Sequence, residues 1–358
     1  MSGGVDSSVA AALLVEQGYA VRGVTLNVWP RLTPEDEVGR PDACCSLSSV
    51  EDARRVADQL GIPHFTLNVR EIFMEKVIKD FAAEYERGRT PNPCVRCNEH
   101  IKFDALLRQA AALDASYVAT GHYARIGFDV VRGRHLLRRG VDLAKDQSYV
   151  LYVLRQEQLA RTLLPLGGMT KGETRALAAR LGLAVAQKAE SQEICFVPDN
   201  DYRGFLRRHT GKEPSPGPIH DLSGRVMGTH RGLPYYTVGQ RKGLGLVGAQ
   251  PHYVIALDAE RNAVTVGPES ELYADCLLAE DTNMIAQAAL PSPVQVTAKI
   301  RYRSPQAPAE VVQLPDGMLS VRFREPQRAI TPGQAVVVYQ DDVVLGGGTI
   351  ASVQRCGD

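Results

Sequence analysis

The first residues able to do chemistry form the glycine-rich stretch Ser2-Gly-Gly-Val-Asp-Ser-Ser8, which leads directly into a helical pattern. Glycines let backbone N–H groups turn towards an anion, and the N-terminus of a helix adds a partial positive charge. The stretch therefore predicts a phosphate-binding loop. It lacks the Gly-Lys-Ser/Thr ending of a Walker motif, so transfer of a γ-phosphate is not implied. The alternative is a glycine-rich turn that only caps an ordinary helix.

The second group of reactive residues consists of cysteines. Cys94 and Cys97 follow a proline-bounded segment, at the entrance to a helix that we expect to begin near Ile101. Helix N-termini and nearby cations lower the pKa of a thiol and favour the thiolate. Cys195 lies in the polar-to-apolar segment 191–196, where a lone cysteine is more often a small buried hydrophobic residue. Three uses fit this set: a structural zinc site, a redox pair, or a nucleophile with a resolving partner.

A zinc site is the main alternative to a nucleophile. It would use the four cysteines Cys44, Cys45, Cys94 and Cys97. Only one Cys-x-x-Cys is present, however, and adjacent cysteines chelate a single tetrahedral ion poorly. A thioredoxin-like redox pair is less favoured still, because that motif belongs at the end of a strand in a small fold, whereas this one follows Pro-Asn-Pro.

Composition narrows the class of protein. With 358 residues, of which 44% are apolar, the chain exceeds what one hydrophobic core usually organises, so we expect two or three domains. No run of eighteen apolar residues and no signal-peptide pattern occur, which predicts a cytoplasmic protein without a membrane partner. The seven cysteines are odd in number and unevenly spread, unlike a secreted disulfide framework. The formal net charge is zero, so local basic patches would have to hold any nucleic acid.

The elements that must position these residues follow an α/β rhythm up to about residue 205. Helical patterns alternate with short apolar runs, which is typical of a parallel sheet covered by helices. We expect helices at about 9–17, 50–60, 72–86 and 101–113, and strands at about 20–26, 64–69 and 116–120. Capping boxes at Ser48 with Glu51 and at Thr170 with Glu173 mark two helix starts.

One element is missing from this pattern. A phosphate loop should follow a buried strand that fixes its position. Only Met1 precedes Ser2 in this sequence. We therefore expect that the sequence begins at an internal methionine and that the natural protein carries about ten more residues, enough for a strand of normal length.

The chain changes character at residues 211–218, a stretch rich in proline and glycine after which the helical period disappears. Ser223-Gly224 and Asp316-Gly317 mark turns between short alternating segments. The pattern predicts an α/β domain at 1–205, a small central β-rich domain at 206–272 and a C-terminal β-barrel at 273–358.

Basic residues form two local groups that are compatible with RNA. Arginines surround one expected hairpin at Arg125, Arg132, Arg134, Arg138 and Arg139, and others lie on an expected helix at Arg203, Arg207 and Arg208. Phosphate contacts from such residues position a nucleic acid without reading its bases. Exposed arginines are also common without any such role.

An ordered set of motifs along nearly the whole chain carries a resemblance to a known family. The loop Ser2–Ser8 is similar to the pyrophosphatase loop (PP-loop) of enzymes that attack ATP at the α-phosphate and release pyrophosphate. Together with later motifs, it resembles the bacterial tRNA-specific 2-thiouridylases, which install sulfur at C2 of the wobble uridine in certain tRNAs. The later motifs are Thr90-Pro-Asn-Pro, Cys97-Asn, Ile101-Lys-Phe, Thr120-Gly-His-Tyr, Lys145-Asp-Gln-Ser-Tyr, Ser191-Gln-Glu-Ile-Cys-Phe, Tyr236-Thr-Val-Gly-Gln-Arg-Lys-Gly-Leu, Arg301-Tyr-Arg and Thr331-Pro-Gly-Gln.

The resemblance implies a parallel-sheet, adenine-nucleotide-binding domain with ATP and Mg²⁺ as cofactors and tRNA as a partner. The implied ATP-binding residues are Ser2, Gly3, Gly4, Val5, Asp6, Ser7, Ser8, Leu26 and Gly121. The residues implied to contact tRNA are Asn92, Pro93, Cys94, Lys145, Asp146, Gln147, Arg301 and Tyr302. Cys97 and Cys195 would be the catalytic pair, and no metal site built from protein ligands is implied.

The reaction implied by the resemblance has two stages. The C2 oxygen of the uridine attacks the α-phosphorus of ATP, whose charge Mg²⁺ neutralises, and pyrophosphate leaves. A persulfide on Cys195, loaded by an upstream sulfur-carrier protein that a cysteine desulfurase feeds, then delivers sulfur to C2. Cys97 resolves the persulfide by forming a disulfide with Cys195 as AMP leaves. Many family members have Asp where this chain has Cys94, so Cys94 could compete as the resolving thiol.

Two other functions stay open at this point. Another PP-loop enzyme, an amidotransferase or an adenylylating synthetase, would share the loop but would not need Cys97 and Cys195. A zinc-dependent RNA-binding module would use the cysteines and arginines but would leave Ser2–Ser8 without a role.

Overall fold

The computed structural model describes residues 1–28, 47–189, 194–197, 201–211, 213–246, 250–291 and 293–355. The chain divides into two compact units, each built from separate stretches of sequence. The first unit comprises Met1–Val77, Pro93–Asp201 and Asp342–Val344, and the second comprises Ile78–Asn92, Tyr202–Asp341 and Leu345–Asp358. Residues 78–92 thus belong to the second unit, although they lie within the stretch 1–205 that was expected to form one domain. The boundaries at 205 and 272 stay predictions.

The first half of the chain alternates between helices and strands. The helices are α1 (Val5–Glu16), α2 (Leu47–Gln59), α3 (Arg70–Phe73), α4 (Lys79–Glu86), α5 (Pro93–Arg96), α6 (Leu106–Ala112), α7 (Ser148–Leu151), α8 (Gln156–Ala160) and α9 (Lys171–Arg180). π-Helical segments cover Met74–Ile78 and Cys97–Ala105. The strands are β1 (Gly23–Asn27), β2 (His64–Asn68), β3 (Val118–Ala119), β4 (Ala124–Asp129), β5 (Arg134–Arg139) and β6 (Thr162–Leu163).

Parallel pairing in the first unit confirms the predicted α/β class. Strands β1 and β2 run parallel, with Gly23 opposite His64, and β3 runs parallel to β6, with Val118 opposite Thr162. The hairpin of β4 and β5 is antiparallel and carries the arginines that the sequence placed on one hairpin. Each parallel pair is joined through helices, as such connections require.

The core of the first unit forms around α1 and α9. Helix α1 is apolar on nearly every side, and a helix with that pattern is buried rather than amphipathic. Helix α9 packs against α1 and begins at the predicted capping box. The Thr170 hydroxyl accepts a hydrogen bond from Glu173 N at 3.2 Å, and the Glu173 carboxylate accepts one from Thr170 N at 2.7 Å. That prediction is confirmed, whereas the capping box at Ser48 is wrong, because α2 already includes Leu47 and Ser48.

The helix that carries Cys94 and Cys97 begins earlier than the sequence indicated. Helical geometry starts at Pro93 and continues through the π-helical segment to Ala112, so the predicted start near Ile101 is wrong. Proline suits the first position of a helix because its fixed φ matches helical geometry and its missing N–H would have no partner there. We call this continuous helical stretch, residues 93–112, the cysteine helix. The two cysteines lie in its first turns, three residues apart and on one face.

The second unit contains two β modules that follow helix α10 (Tyr202–Thr210). The first module has the strand order β8-β7-β10-β9, and its members are β7 (Gly217–His220), β8 (Val226–His230), β9 (Tyr253–Asp258) and β10 (Ala263–Gly267). The turn between β7 and β8 contains Gly224 at φ 84, which matches the turn predicted there. Its core includes Ile219, Val254 and Val264, all fully buried.

The second module is the C-terminal barrel. Its strands are β11 (Tyr273–Met284), β12 (Val294–Lys299), β13 (Ala307–Gln313), β14 (Leu319–Arg328), β15 (Ala335–Gln340) and β16 (Val343–Gln354). They pair in the order β11-β14-β13-β12-β15-β16, and β16 pairs back to β11, which closes the barrel. Alternate residues such as Ala309 and Val311 are fully buried. The predicted barrel is confirmed. Within the ranges described above, no helix is long and apolar enough to cross a membrane.

Candidate functional site

The serines of the predicted phosphate loop hold its turn closed. Ser2 N donates to Ser7 Oγ at 3.1 Å, while the hydroxyls of Ser7 and Ser8 donate to Gly4 O at 3.2 and 2.9 Å. Gly3 has φ 67, and a Cβ on it would lie 2.2 Å from Ser49 O. Gly4 is the N-cap of α1 and has no side chain that could cap the first N–H groups. These N–H groups are therefore suited to an anion.

Gly121 lies against the main chain of this loop. A Cβ on Gly121 would lie 2.6 Å from Asp6 C and 2.7 Å from Ser7 N, closer than real Cβ contacts allow. Only glycine fits there, because main-chain atoms cannot move aside as a side chain can. Two motifs that were separate in the sequence, Ser2–Ser8 and Thr120–Tyr123, are thus in direct contact.

Asp6 of the loop binds a lysine that the sequence analysis missed. Lys171 Nζ donates to both carboxylate oxygens of Asp6, at 2.7 and 2.9 Å, and Tyr123 OH donates to Asp6 Oδ1 at 2.8 Å. The Lys171 side chain is only 12% exposed, against 33% for Asp6. The capping box at Thr170 was the available signal, because it makes Lys171 the first residue of α9.

His122 is buried next to Gly121 and is neutral. Burial, and then the nearby charge of Lys102, hold the pKa of His122 well below its ordinary value. His122 Nε2 lies 3.4 Å from Lys102 Nζ, and His122 Nδ1 lies 2.8 Å from Thr120 Oγ1. An ammonium can only donate, so Nε2 is the acceptor and Nδ1 carries the proton. The Ile-Lys-Phe motif of the cysteine helix thereby contacts the Thr-Gly-His-Tyr motif.

The two predicted catalytic cysteines are less exposed than Cys94. Cys97 and Cys195 are partly exposed, and Cys94 is exposed. The π-helical segment begins at Cys97, and π-helical turns occur frequently at functional sites. Asn98 is 1% exposed and donates from Nδ2 to Val150 O at 2.9 Å, which ties the segment to α7. Its Oδ1 is buried and has no hydrogen-bond partner within the described part of the chain.

Helix α3 contacts both the π-helical segment that begins at Cys97 and Phe196, the residue after Cys195. The rings of Phe196 and Phe73 meet edge to face, with centroids 5.7 Å apart. Helix α3, which ends at Phe73, also contacts the π-helical segment that starts at Cys97. The first three residues of the motif that contains Cys195, residues 191–193, lie outside the described residues. So do Cys44 and Cys45 of the zinc alternative, and the described residues contain no cluster that could hold a metal ion.

Asp146, one of the residues expected to contact tRNA, is directed into the protein. Its side chain is 0% exposed and accepts four hydrogen bonds. Oδ1 accepts from Gly140 N and Ser148 N, each at 3.1 Å, while Oδ2 accepts from Ser148 Oγ at 3.0 Å and Arg139 Nε at 3.2 Å. Such a carboxylate positions the chain around it.

Gln147 likewise bonds to the main chain that borders the loop. Tyr123 N donates to Gln147 Oε1, and Gln147 N donates to Tyr123 O, both at 2.9 Å. Lys145, the first residue of this motif, is partly exposed.

Leu26, expected near the adenosine, is partly buried on β1 opposite Leu67.

Most arginines of the β4–β5 hairpin form salt bridges with carboxylates. Arg125 and Arg138 both bind the Asp342 carboxylate, at 2.8 and 2.9 Å. Arg132 pairs with Asp129 at 3.3 Å. The predicted basic patch is therefore partly neutralised within the first unit.

Three of the residues expected to contact tRNA belong to the second unit, and a fourth, Pro93, is the residue at which the chain enters the first unit. Pro93 starts the cysteine helix and is buried, whereas Asn92, directly before it, belongs to the second unit with Arg301 and Tyr302. The Arg301 guanidinium donates to Ala329 O and to Thr331 Oγ1, the latter at 2.8 Å. The ring of Tyr302 lies 5.9 Å from Lys299 Nζ.

Comparison with protein families matches three consecutive segments. They are a tRNA methyl transferase HUP domain at residues 1–199, a tRNA methyl transferase PRC-barrel domain at 203–268 and an aminomethyltransferase beta-barrel domain at 274–350. These descriptions agree with the α/β part and the two β modules.

Curated relatives match over nearly the full length. A tRNA-specific 2-thiouridylase MnmA from Heliobacterium modesticaldum is 59% identical over 98% of this chain and 91% of that protein. The enzyme of the same name from Moorella thermoacetica is 58% identical over 99% of each chain. The one from Pelotomaculum thermopropionicum is 53% identical over 98% of this chain and 96% of that protein.

The contact of Gly121 with the loop yields a test. Gly121→Ala adds a carbon against the Asp6–Ser7 peptide, so we expect the loop to shift and ATP affinity, measured by isothermal titration, to fall at least tenfold. Gly127→Ala is the matched control, because a Cβ there meets no atom within 4 Å. Equal ATP affinity for the two folded variants would contradict the assigned role of Gly121.

Proposed function

The chain belongs to the tRNA-specific 2-thiouridylase family, and we propose that it uses ATP to replace the C2 oxygen of the wobble uridine in tRNA with sulfur. The observation that carries this proposal is 58–59% identity to two such enzymes over 98–99% of the chain. The hydrogen-bonded loop at Ser2–Ser8 and the cysteine helix support the proposal independently. A sulfur-carrier protein fed by a cysteine desulfurase would supply the sulfur.

The phosphates of ATP would bind at the N-terminus of α1. The N–H groups that follow Gly4 are the donors available there, because no side chain caps them. Lys171 brings an ammonium to the same place, 2.7 Å from Asp6 Oδ1. At an effective dielectric constant of 20, one ammonium and one phosphate charge 4 Å apart interact by about 4 kcal/mol. Lys171 is therefore able to bind a phosphate when ATP enters.

Asp6 is the residue that fits a magnesium ion. Mg²⁺ prefers oxygen ligands and is usually held by one or two carboxylates together with substrate phosphates. Asp6 is partly exposed and is part of the loop itself. When bound, the ion would neutralise charge at the phosphorus under attack. Tyr123 would keep the carboxylate oriented through its bond to Asp6 Oδ1 when Lys171 turns to the phosphates.

Adenylylation and sulfur transfer would follow one another. The C2 oxygen attacks the α-phosphorus and pyrophosphate leaves, which turns that oxygen into a good leaving group. The terminal sulfur of a Cys195 persulfide attacks C2 and expels AMP. The Cys97 thiolate then attacks Cys195 Sγ, which forms a disulfide and leaves the transferred sulfur on C2. An external dithiol would reduce this disulfide before the next turnover.

The bonds between motifs support a shared site for the two steps. Lys102 and Asn98, on the cysteine helix, bond to His122 and to Val150 O respectively. His122 directly follows Gly121, which packs on the loop. The helix that would carry the resolving cysteine is thus connected by buried contacts to the segment that borders the ATP phosphates. Pro93 and Cys94, which we propose to contact the target base, are the first two residues of this helix.

The direct test is mass spectrometry of tRNA nucleosides after incubation with the protein, Mg-ATP and a persulfide donor. We expect 2-thiouridine together with AMP and pyrophosphate in equal amounts. ATP cleavage without thiolated tRNA would keep the adenylylation chemistry but assign it to another acceptor. No use of ATP at all would overturn the proposal.

The cysteine assignments are tested by three serine variants. Cys97→Ser and Cys195→Ser should each reduce thiolation to background while pyrophosphate release continues, because adenylylation needs neither thiol. Cys94→Ser, on the same helix face, should keep thiolation and serves as the control. An active Cys97→Ser enzyme would contradict its role, and loss of activity in Cys94→Ser alone would make Cys94 the resolving thiol.

Lys171 provides a separate test of the ATP step. Lys171→Met keeps the length of the side chain but removes its charge, so kcat/KM for ATP cleavage should fall by roughly 10²-fold, as when one preorganised donor to a transition state is lost. Lys188→Met is the control, since Lys188 pairs with Asp52 at 2.8 Å instead of with the loop. Equal losses in both variants would indicate a general effect on stability.

A further inference from the structure

The loop between β5 and α7 is bound at two places to residues that contact the phosphate loop. We call residues 140–147 the Asp142 loop. It includes Lys145, which is expected to contact tRNA, and it lies in the first unit together with Ser2–Ser8. Its hydrogen bonds therefore determine whether tRNA binding and ATP binding are independent of one another.

The carboxylate of Asp142 joins this loop to the start of helix α9. Asp142 Oδ1 accepts a hydrogen bond from Ala144 N at 3.1 Å, and Asp142 Oδ2 accepts one from Lys171 N at 2.9 Å. Asp142 O also accepts a bond from Lys145 N at 3.0 Å, which closes the turn that carries Lys145. One residue thus fixes both this turn and the first N–H group of α9.

The main-chain N–H of Lys171 needs an acceptor from outside its helix. The first four N–H groups of a helix have no acceptor within it. The N-cap side chain of Thr170 accepts from Glu173 N, whereas Lys171 N donates to Asp142. A carboxylate at this place also interacts favourably with the positive end of the helix. Lys171 Nζ lies 2.7 Å from Asp6 Oδ1, so Asp142 holds the main chain of a residue whose side chain contacts the phosphate loop.

The other end of the Asp142 loop leads to the same carboxylate of Asp6. Gln147 Oε1 accepts from Tyr123 N, and Gln147 N donates to Tyr123 O, both at 2.9 Å. Tyr123 OH donates to Asp6 Oδ1 at 2.8 Å. Asp6 therefore binds both Lys171 and Tyr123, and each of these residues is bonded to the Asp142 loop.

The start of the loop is packed against main chain. A Cβ on Gly140 would lie 2.9 Å from Tyr123 O, and Val141 N donates to Gly167 O at 3.1 Å. Close-packed main chain has few alternative arrangements. A displacement of the turn at residues 142–145 is therefore passed on to the partners of the loop through a continuous set of contacts.

We propose that Asp142 is a positioning residue that couples the binding of a tRNA phosphate at Lys145 to the binding of the ATP phosphates at Lys171. The proposal rests on the function proposed above and extends it to a residue that touches neither substrate. A tRNA phosphate that holds the turn in place would preorganise Lys171 for ATP. By thermodynamic linkage, bound ATP would favour tRNA by the same factor, and such factors are typically about 5- to 150-fold.

The coupling factor is the Kd for an ATP analogue without tRNA divided by its Kd with saturating tRNA. The analogue is α,β-methylene-ATP, which cannot release pyrophosphate, and the tRNA is a transcript with uridine at the wobble position. We expect a factor of about five or more for the unmodified protein and less than about two for Asp142→Asn. Asparagine keeps the size of the side chain, but an NH2 group replaces one of the two acceptor oxygens.

Asp129→Asn is the matched control. Asp129 Oδ1 accepts from Val131 N and Arg132 N, each at 3.0 Å, so its bonds lie within its own hairpin turn. This variant should keep the coupling factor of the unmodified protein. A general loss of stability lowers the fraction of protein able to bind ATP both with and without tRNA, so it does not move the ratio towards one.

Two results would overturn the proposal: a factor below about two in the unmodified protein, or an Asp142→Asn variant that keeps the full factor. If Asp142→Asn does not fold, amide hydrogen exchange of the unmodified protein carries the test. Addition of tRNA without ATP should slow exchange in residues 142–147 and at Lys171 together, and slowing confined to 142–147 would contradict the coupling.

The outcomes also separate this proposal from the proposed function. A protein that thiolates tRNA but shows no coupling would retain the function and lose the role of Asp142. A coupled protein that forms no 2-thiouridine would retain that role and lose the proposed reaction. A protein that binds no tRNA would overturn both.

Discussion

The contact between Gly121 and the Asp6–Ser7 peptide is the constraint on which the rest of the site depends. Main chain meets main chain there, and one added carbon would lie 2.6 Å from Asp6 C. Such a contact has little room to relax, because interiors are close-packed and main-chain atoms have no alternative rotamers. The loop therefore takes its position from the segment Thr120–Tyr123 as much as from its own turn, and a shift of that segment would shift the phosphate site.

Buried polar groups keep that segment in place. His122 bonds to Lys102 and Thr120, and Gln147 bonds to both main-chain groups of Tyr123. A buried polar group left without a partner costs about 1–3 kcal/mol, so these bonds hold as a set. In the motif Lys145–Gln147, which suggests RNA contacts in the sequence, Asp146 and Gln147 thus make hydrogen bonds to other parts of the protein. Within Lys145–Gln147, Lys145 carries the cationic side chain and is partly exposed.

Local patterns predicted the elements well and the long-range contacts poorly. The alternation of helices and strands, the capping box at Thr170 and the C-terminal barrel follow from periodicity and turn residues, which act over a few positions. The helix start at Pro93 was missed because Pro-Asn-Pro resembles a loop until the third residue is recognised as a first helical position. Lys171 could not be paired with Asp6 from sequence, since 165 positions separate them and only the packing of α9 on α1 brings them together.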